Sequence, residues 1–365
     1  MVEVLSMPKV ALVGCGLVAD QHMSQIRRVT GSEIVAVCDQ EPLMAQQLAD
    51  RFKVPQFFVD LGEMLKNAKP EIVHITTPAQ SHFPIAKACI EAGCHVYVEK
   101  PFTVNVAEAE ELIALAKSKG RLLTAGHNLQ FSPEAIRMRE MVASGFLGGP
   151  PIHIDCMQLF THAEPNYGTA VLGDVDHWVR SLPGSLLHNL ISHGLAKIVE
   201  FLPGDNPRVL THAFPSPYIR NVAQMEIVDE LRTVIYGDND VTAQFIFSTR
   251  LGAATNQLRL YGKDATLVVD STNRTVIPIR PASYKSYLRY FLVPRIFARE
   301  YRRNSWDNMK QFLHARFHSD YGMWMLTRKF YEATKGACEI PISYREILNT
   351  AKIMDAIFSV LPRKA

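Results

Sequence analysis

The sequence predicts an α/β protein in two parts: a doubly wound parallel sheet over residues 1–127, and an α+β domain on a largely antiparallel open sheet over residues 128–365. Three observations predict it. Apolar runs alternate with amphipathic helical patterns through the first third, which is the order of βαβ units. From Ile152 onward the strand patterns follow one another directly, and only antiparallel neighbours can be joined by turns so short. With 365 residues, 47% apolar and 21% charged, the chain can bury two substantial cores.

The first strand, Val10–Val13, ends at Gly14-Cys15-Gly16-Leu17-Val18-Ala19; a helix follows, then a second apolar run, Ile34–Cys38, that stops on Asp39. Dinucleotide binding needs these parts in this order, and the first half therefore reads as a Rossmann fold. Gly14 permits the tight turn, Gly16 lets the backbone approach a pyrophosphate, and Ala19 is small enough for the new helix to pack on the sheet. The pyrophosphate would lie over the loop Leu17–Ala19, where free N–H groups and the positive helix end favour an anion. Asp39 comes 20 residues after Ala19, where a carboxylate accepts from ribose hydroxyls and repels a 2′-phosphate. Gln40 and Glu41 offer that phosphate no positive partner, so NAD is expected rather than NADP.

The remaining elements follow in order. Pro42–Phe52 and Leu61–Asn67 read as helices, Glu71–Ile75 as a buried strand leading into Thr76-Thr77-Pro78, and Phe83–Ala92 as a helix closed by Gly93. His95–Val98 is a strand that runs into Glu99-Lys100-Pro101. Val106–Lys119 is a helix ended by Gly120, and Leu122–Gly126 a further parallel strand. A linking helix, Pro133–Ala143, precedes the strands Ile152–Phe160, Val209–Phe214, Asp229–Tyr236, Val241–Ser248 and Asn256–Tyr261, with a hairpin turn at Gly237–Asp240. One helix, Leu186–Leu202, is inserted among them and stops at Pro203-Gly204. A C-terminal helix completes the chain, and a cleft between the domains is the expected site.

Ligands of open parallel sheets bind beyond the carboxyl ends of the strands. Three such ends carry special residues: Gly14–Ala19, Thr76–His82 and Glu99–Pro101. Lys100 at such a mouth could polarise a substrate hydroxyl, or could be half of a loop ion pair. In Leu186–Leu202, Asn189 and His193 share a helix face that Lys197 and Glu200 continue. That face is either solvated or turned to the cleft, where His193 would accept a proton, its reference pKa of ~6.5 being near physiological pH. His127, His177 and Trp178 are loop residues that either line the cleft or are structural. No metal is expected, because His188 and His193 point to different faces and no H-E-x-x-H occurs. Cys15, Cys38, Cys89, Cys94, Cys156 and Cys338 are scattered and read as reduced core residues. No signal-peptide pattern or ~20-residue apolar span is seen, so a cytoplasmic protein is expected.

On these residues the sequence resembles the Gfo/Idh/MocA oxidoreductases, the family of glucose-fructose oxidoreductase and inositol dehydrogenase. The matching stretches are VGCGLVADQH at 13–22, VAVCD at 35–39, ITTPAQSH at 75–82 and GCHVYVEKPFTVNVAEAEEL at 93–112. They continue with GHNLQFSP at 126–133, GSLLHNLISHGLAKIVEFLPG at 184–204 and FYEATKGACEIPISYREILNTAKIMDAI at 330–357. Coverage is nearly end to end, apart from about 280 to 325. The resemblance implies that Lys100 is the catalytic lysine touching nicotinamide ribose and substrate, and that His193 is the general base. It places Thr76, Thr77, Pro78, His82 and Asn128 along the cofactor and Glu99 at its ribose, with the Lys100–Pro101 bond cis. Substrate contacts would come from Lys100, His127, Gln130, His177, Trp178, Asn189 and His193. Two positions depart from the family pattern: Asn189 stands where an aspartate is common, and Gln130 where an arginine is usual. The implied activity is NAD-dependent oxidation or reduction of a secondary alcohol or ketone of a sugar or sugar derivative, nucleotide sugars included, by a homo-oligomer (dimer or tetramer). Two alternatives stay open: redox-neutral glycoside cleavage or epimerisation by transient oxidation, and a non-catalytic NAD(H)-binding partner protein.

Between Tyr284 and Phe330 ten basic residues face three acidic ones, so the segment carries about +7 of a chain total of +3, leaving about −4 elsewhere. It also holds twelve of the 33 aromatics. Four readings compete, in this order: a subunit interface, a cover for an anionic substrate, a peripheral contact with an anionic membrane, and nucleic-acid binding. The last is not expected, as no recognition motif accompanies the charge. The segment is not expected to span a bilayer, because Arg289, Pro294 and Arg295 interrupt its most apolar part.

Overall fold

The computed structural model describes residues 8–160, 174, 176–217, 219, 227–281, 284–314 and 321–361. The chain forms two compact units, divided at Asn128/Leu129. The first contains six strands: β1 Lys9–Val13, β2 Glu33–Cys38, β3 Phe57–Phe58, β4 Ile72–Ile75, β5 His95–Val98 and β6 Leu123–Ala125. All pair in parallel, in the order β3-β2-β1-β4-β5-β6. Helices α1 Ala19–Arg28, α2 Pro42–Phe52, α3 Leu61–Ala68, α4 His82–Glu91 and α5 Val106–Ser118 make the crossovers. The strand order reverses at β1/β4, the crevice where such sheets bind ligands. Register sets what meets there: Val13 pairs with Ile75 and Ile75 with Val98, so Gly14, Thr76 and Glu99 leave the sheet side by side.

Gly322–Ala351 also belongs to this unit, whereas the sequence pattern assigned all of 128–365 to the second domain. The reason is burial. Helix α10, Tyr321–Thr334, inserts Phe330 and Tyr331, both nearly inaccessible, against Tyr97 and His74 of the sheet. Tyr344, at the start of helix α11 (Tyr344–Phe358), places its hydroxyl 3.3 Å from the backbone N–H of Leu123.

The second unit is built on a seven-stranded sheet: β7 His153–Leu159, β8 Arg208–Phe214, β9 Glu230–Tyr236, β10 Thr242–Ser248, β11 Thr255–Tyr261, β12 Thr266–Asp270 and β13 Thr275–Ile279. Its order is β13-β12-β11-β7-β10-β9-β8, and every pair is antiparallel except β7 with β10. Alternation along β10 turns Ala243, Phe245 and Phe247 inward, into a core shared with Leu187, Ile191 and Leu195. Helix α6, Pro133–Ala143, lies in the same unit.

Three features depart from the sequence pattern. The hairpin β12–β13 was not anticipated. The expected helix Leu186–Leu202 is two helices, α7 Ser185–Leu190 and α8 Ser192–Val199, broken at Ile191. Ser192 and Gly194 are weak helix formers there, and Gly194 is needed because a Cβ would lie 2.4 Å from the Phe245 ring. Finally, the diverged stretch holds one long helix, α9 Ser286–Leu313, with Pro294 inside it.

Asn304 fixes α9 to the edge of the sheet. Its side-chain oxygen accepts from the Val276 N–H (2.8 Å) and from Arg137 (3.0 Å). Its amide donates to the carbonyls of Val276 (3.1 Å) and Glu300 (2.8 Å). The backbone N–H and carbonyl of Val276 on β13 are thereby satisfied rather than left open for another strand. Asn304→Ala leaves these buried backbone groups unpaired and should cost about 2–4 kcal/mol, read as a lowered urea midpoint.

Candidate active site

The glycine turn follows β1 as its sequence requires. Gly14 has φ 98°, and a Cβ there would lie 2.6 Å from the backbone nitrogen of Thr77, so only glycine fits. At Gly16 an added Cβ would meet nothing within 4 Å, which leaves the backbone open on its outer side. Leu17 is 92% exposed at the rim of the turn, and Val18 begins α1 without a side-chain cap. Asp39 at the end of β2 accepts from the N–H groups of Cys15 (2.6 Å) and Glu41 (2.9 Å), tying the turn to the neighbouring strand. Thr76 does the same from β4, its hydroxyl donating to the carbonyl of Gly14 at 2.6 Å.

Beneath the turn lies a buried hydrogen-bonded chain that the sequence pattern did not reveal. Glu99 accepts from His22 of α1 at 2.9 Å, His22 meets His74 of β4 at 3.0 Å through their Nδ1 atoms, and His74 Nε2 meets the Tyr331 hydroxyl at 2.8 Å. Tyr97 stacks on His74 with ring centroids 4.6 Å apart. The other Glu99 oxygen accepts the Lys100 N–H at 2.9 Å. Both Glu99 oxygens are thus taken up within the unit, and Gly126 is glycine because a Cβ would lie 2.8 Å from that carboxylate. Burial pushes the Glu99 carboxyl up, but the His22 hydrogen bond and the charges of His22 and Lys100 outweigh it, so it stays ionised below the usual range. Parity could have found the cluster: His74 and Thr76, like Tyr97 and Glu99, alternate onto one face, and a histidine and a tyrosine stand in otherwise apolar strands.

Lys100 leaves the strand through a cis bond to Pro101, as expected. Burial lowers its pKa and Glu99 raises it again, with a net lowering. His82 is buried, its ring nitrogens 2.9 Å from the Pro101 carbonyl and 2.8 Å from that of Thr77, so it pins two loops together. His127 is buried beside β6, and desolvation brings its pKa to about 4. Asn128 begins a short 3-10 helix, Asn128–Phe131.

In the second unit the polar stripe of α7 and α8 is not a solvated face. Asn189 and Lys197 are buried, and His193 is half-buried. Lys197 donates to Asn256 (3.0 Å) and Ser271 (2.9 Å), and burial lowers its pKa. Glu200 pairs with Arg139. Gln130 donates to the Ala196 carbonyl (3.1 Å) and to Glu200 (3.3 Å), so its amide nitrogen is engaged in holding α8 rather than free for substrate. His177 and Trp178 sit at a 3-10 helix, Trp178–Ser181, their rings stacked at 5.8 Å. Among the described residues no group of three or more His, Cys, Asp or Glu is arranged to hold a metal ion. Five cysteines are buried as expected, but Cys338 is exposed.

Residues 8–127 match the model of the Gfo/Idh/MocA family, described as an oxidoreductase family with an NAD-binding Rossmann fold. The chain is 34% identical over 141 residues to D-glucoside 3-dehydrogenase of Escherichia coli K12, covering 38% of this chain and 40% of that one. It is 26% identical over 183 residues to inositol 2-dehydrogenase/D-chiro-inositol 3-dehydrogenase of Lactiplantibacillus plantarum, covering 47% and 52%. The chain therefore spans only about half, or less, of the length of these relatives. The fold resembles UDP-N-acetylglucosamine 3-dehydrogenase GnnA of Acidithiobacillus ferrooxidans (TM-score 0.71, 18% identity, 97% and 99% of the two chains). It also resembles the WlbA dehydrogenase of Bordetella pertussis in complex with NADH and UDP-GlcNAcA (TM-score 0.75, 17% identity, 97% and 95%).

The glycine turn of this chain fits a dinucleotide on its own geometry. The buried Thr77 hydroxyl, packed against Gly14, has no hydrogen-bond partner among the described residues. A ligand oxygen at the turn would supply one. The two glycines separate fold from binding. Gly14→Ala should destabilise the protein itself. Gly16→Ala should leave the urea midpoint unchanged yet weaken NADH binding roughly tenfold or more, read by fluorescence titration.

The buried histidines set a pH dependence. Burial lowers the pKa of His74, His82, His95 and His127, the last two to about 4. Unfolded, each charges near pH ~6.5. Between those values the unfolded chain binds more protons, so stability falls as pH drops below about 6.5, by up to about 1.4 kcal/mol per pH unit per histidine. Urea midpoints between about pH 7 and 5 should decline accordingly, and substituting His127 should flatten the slope.

Proposed function

We propose that this protein is an NAD-dependent oxidoreductase that interconverts a secondary alcohol and a ketone on a sugar or sugar derivative, nucleotide sugars included. One observation carries the reading: a half-buried lysine, Lys100, held beside a dinucleotide turn by a strand end that Glu99 and His22 lock in place. The sugar specificity is supported by the relatives named for glucosides and inositols, and by folds shared with proteins named for nucleotide-sugar chemistry.

The bound nicotinamide would supply the hydride acceptor or donor at its C4. Gly14, Gly16, Leu17, Val18, Ala19 and Thr77 would hold the dinucleotide at the glycine turn. Asp39 keeps lone pairs beyond those given to Cys15 and Glu41, and these would accept from the adenosine ribose. Its charge, followed by Gln40 and Glu41, disfavours a 2′-phosphate, so NAD is preferred over NADP. His82 acts by positioning the Thr77 and Pro101 loops. Lys100 polarises the substrate oxygen, and its weakened hold on its proton suits it to donate a short hydrogen bond to a developing alkoxide. His193 serves as the proton acceptor. Asn189, which cannot supply a carboxylate's full charge, orients His193 and stabilises its protonated form less than an aspartate would. His127, His177 and Trp178 are assigned to the substrate side, and Gln130 to holding α8.

The test is absorbance at 340 nm with NAD and a panel of free and nucleotide sugars. Turnover is expected with a member of the panel. Lys100→Met should then lower kcat by roughly 10²–10⁴-fold while NADH still binds. Unchanged turnover in that variant would remove Lys100 from the mechanism, and NADH binding without turnover on any sugar would point to a non-catalytic partner protein.

A further inference from the structure

Helix α9 is about 42 Å long and has two unlike sides. The inner side carries the half-buried Val293, Ile296 and Phe297 with the buried Glu300 and Asn304. On the side away from the sheet, Tyr287, Tyr290, Phe291, Tyr301, Trp306 and Met309 are each more than half exposed. Arg289, Arg295, Arg299, Arg302, Arg303 and Lys310 are all exposed as well. The helix has only two acids. Glu300 is buried, and Asp307 is half-buried and 3.4 Å from Arg137. The outer face therefore offers aromatic rings and six exposed cations against a single partly exposed carboxylate, that of Asp307, which is already paired with Arg137.

We propose that α9 docks this protein, lying flat, on an anionic phospholipid surface. Aromatic side chains settle at headgroup depth, guanidinium groups meet lipid phosphates, and long basic side chains reach outward while their stems stay in apolar surroundings. A groove of about 760 Å³ beside the helix adds a second, independent fit. Phe146, Val293 and Ile296 supply apolar wall for an acyl chain, and Arg289 and Arg299 supply cations for its phosphate. Glu300 also lines the groove, 3.7 Å from Arg299.

Charge separates this occupant from the others. A second copy packed on the same face by two-fold symmetry sets two strongly cationic faces against each other, with only Asp307 of each copy, already paired with Arg137, to offset twelve cations. That reverses the order suggested by the sequence, in which a subunit interface came first. A nucleic acid would use the cations but leave Leu288, Met309 and Leu313 in water, all three exposed. An anionic lipid surface takes both kinds of side chain. No helix among the described residues is long and apolar enough to cross a membrane, so α9 is read as resting on the surface.

The experiment is co-sedimentation of the full chain with vesicles of phosphatidylcholine alone or of phosphatidylcholine with phosphatidylglycerol, at low and high salt. Sedimentation is expected with the anionic vesicles only, and should fall roughly tenfold in affinity at high salt and in the double variant Arg295→Glu, Arg302→Glu. Phe291→Ser with Trp306→Ser should weaken it comparably at both salts. These exposed positions should leave the urea midpoint and NADH binding unchanged, which keeps the result separate from the proposed oxidoreductase activity. The proposal is overturned by failure to sediment with anionic vesicles, by equal sedimentation with both kinds, or by insensitivity to both double variants. It is equally overturned by concentration-dependent self-association, without vesicle binding, that these substitutions abolish.

Discussion

A buried carboxylate governs the first unit. Glu99 sits where β5 gives way to the lysine-bearing turn, in surroundings that would ordinarily neutralise it. It stays charged because His22 and the Lys100 N–H donate to its two oxygens. Each requirement of that ion then propagates. His22 must stand on the first helix at the height of the glycine turn, and His74 must stand opposite it on the central strand. Gly126 must lack a side chain, and Tyr331 must arrive from far along the chain to close the series. Removing one member leaves a buried charge or a buried ring nitrogen unpaired, which is costlier than the bond itself. The network therefore fixes where Lys100 emerges.

The second unit solves a different problem, that of a large open sheet with edges. Helix α9 is tied to β13 through Asn304 and the Val276 backbone, and α8 is held by Gln130 and by Lys197, whose buried ammonium donates to Asn256 and Ser271. Polar side chains that resemble a solvated stripe when drawn on a helical wheel are thus internal fastenings. Of that stripe His193 and Glu200 stay half-buried, and Glu200 is paired with Arg139.

The fold was legible because its signals are local. The glycine turn, the strand–helix alternation and the Gly237–Asp240 hairpin each depend on a few neighbouring residues, and all lie where the spacing placed them. What escaped was non-local. Nothing near Glu99 says that one of its oxygens is taken up by a histidine 77 positions earlier. Nothing near Tyr331 says that it completes a sheet begun at residue 9. The single helix expected over Leu186–Leu202 is broken at Ile191, and the packing demand for glycine at 194 comes from Phe245, a strand residue distant in sequence. The 280–325 stretch was legible in charge and aromatic content but not in form, since a proline inside a helix reads as an interruption.

The His74–Tyr331 bond closes a loop of 257 residues, and this has a consequence for how the chain is made. Residues 8–128 leave the ribosome as a sheet whose face still presents His74 and Tyr97 without α10 over them. Roughly two hundred further residues follow at about 5–20 per second, so that face waits on the order of tens of seconds for its cover. During that interval the second unit, whose strands pair mostly with near neighbours, has the shorter loops to close and the kinetic advantage. Synthesis of this protein is thus vectorial in order but not in completion, and a sheet made before the second unit is sealed only after most of that unit has been made.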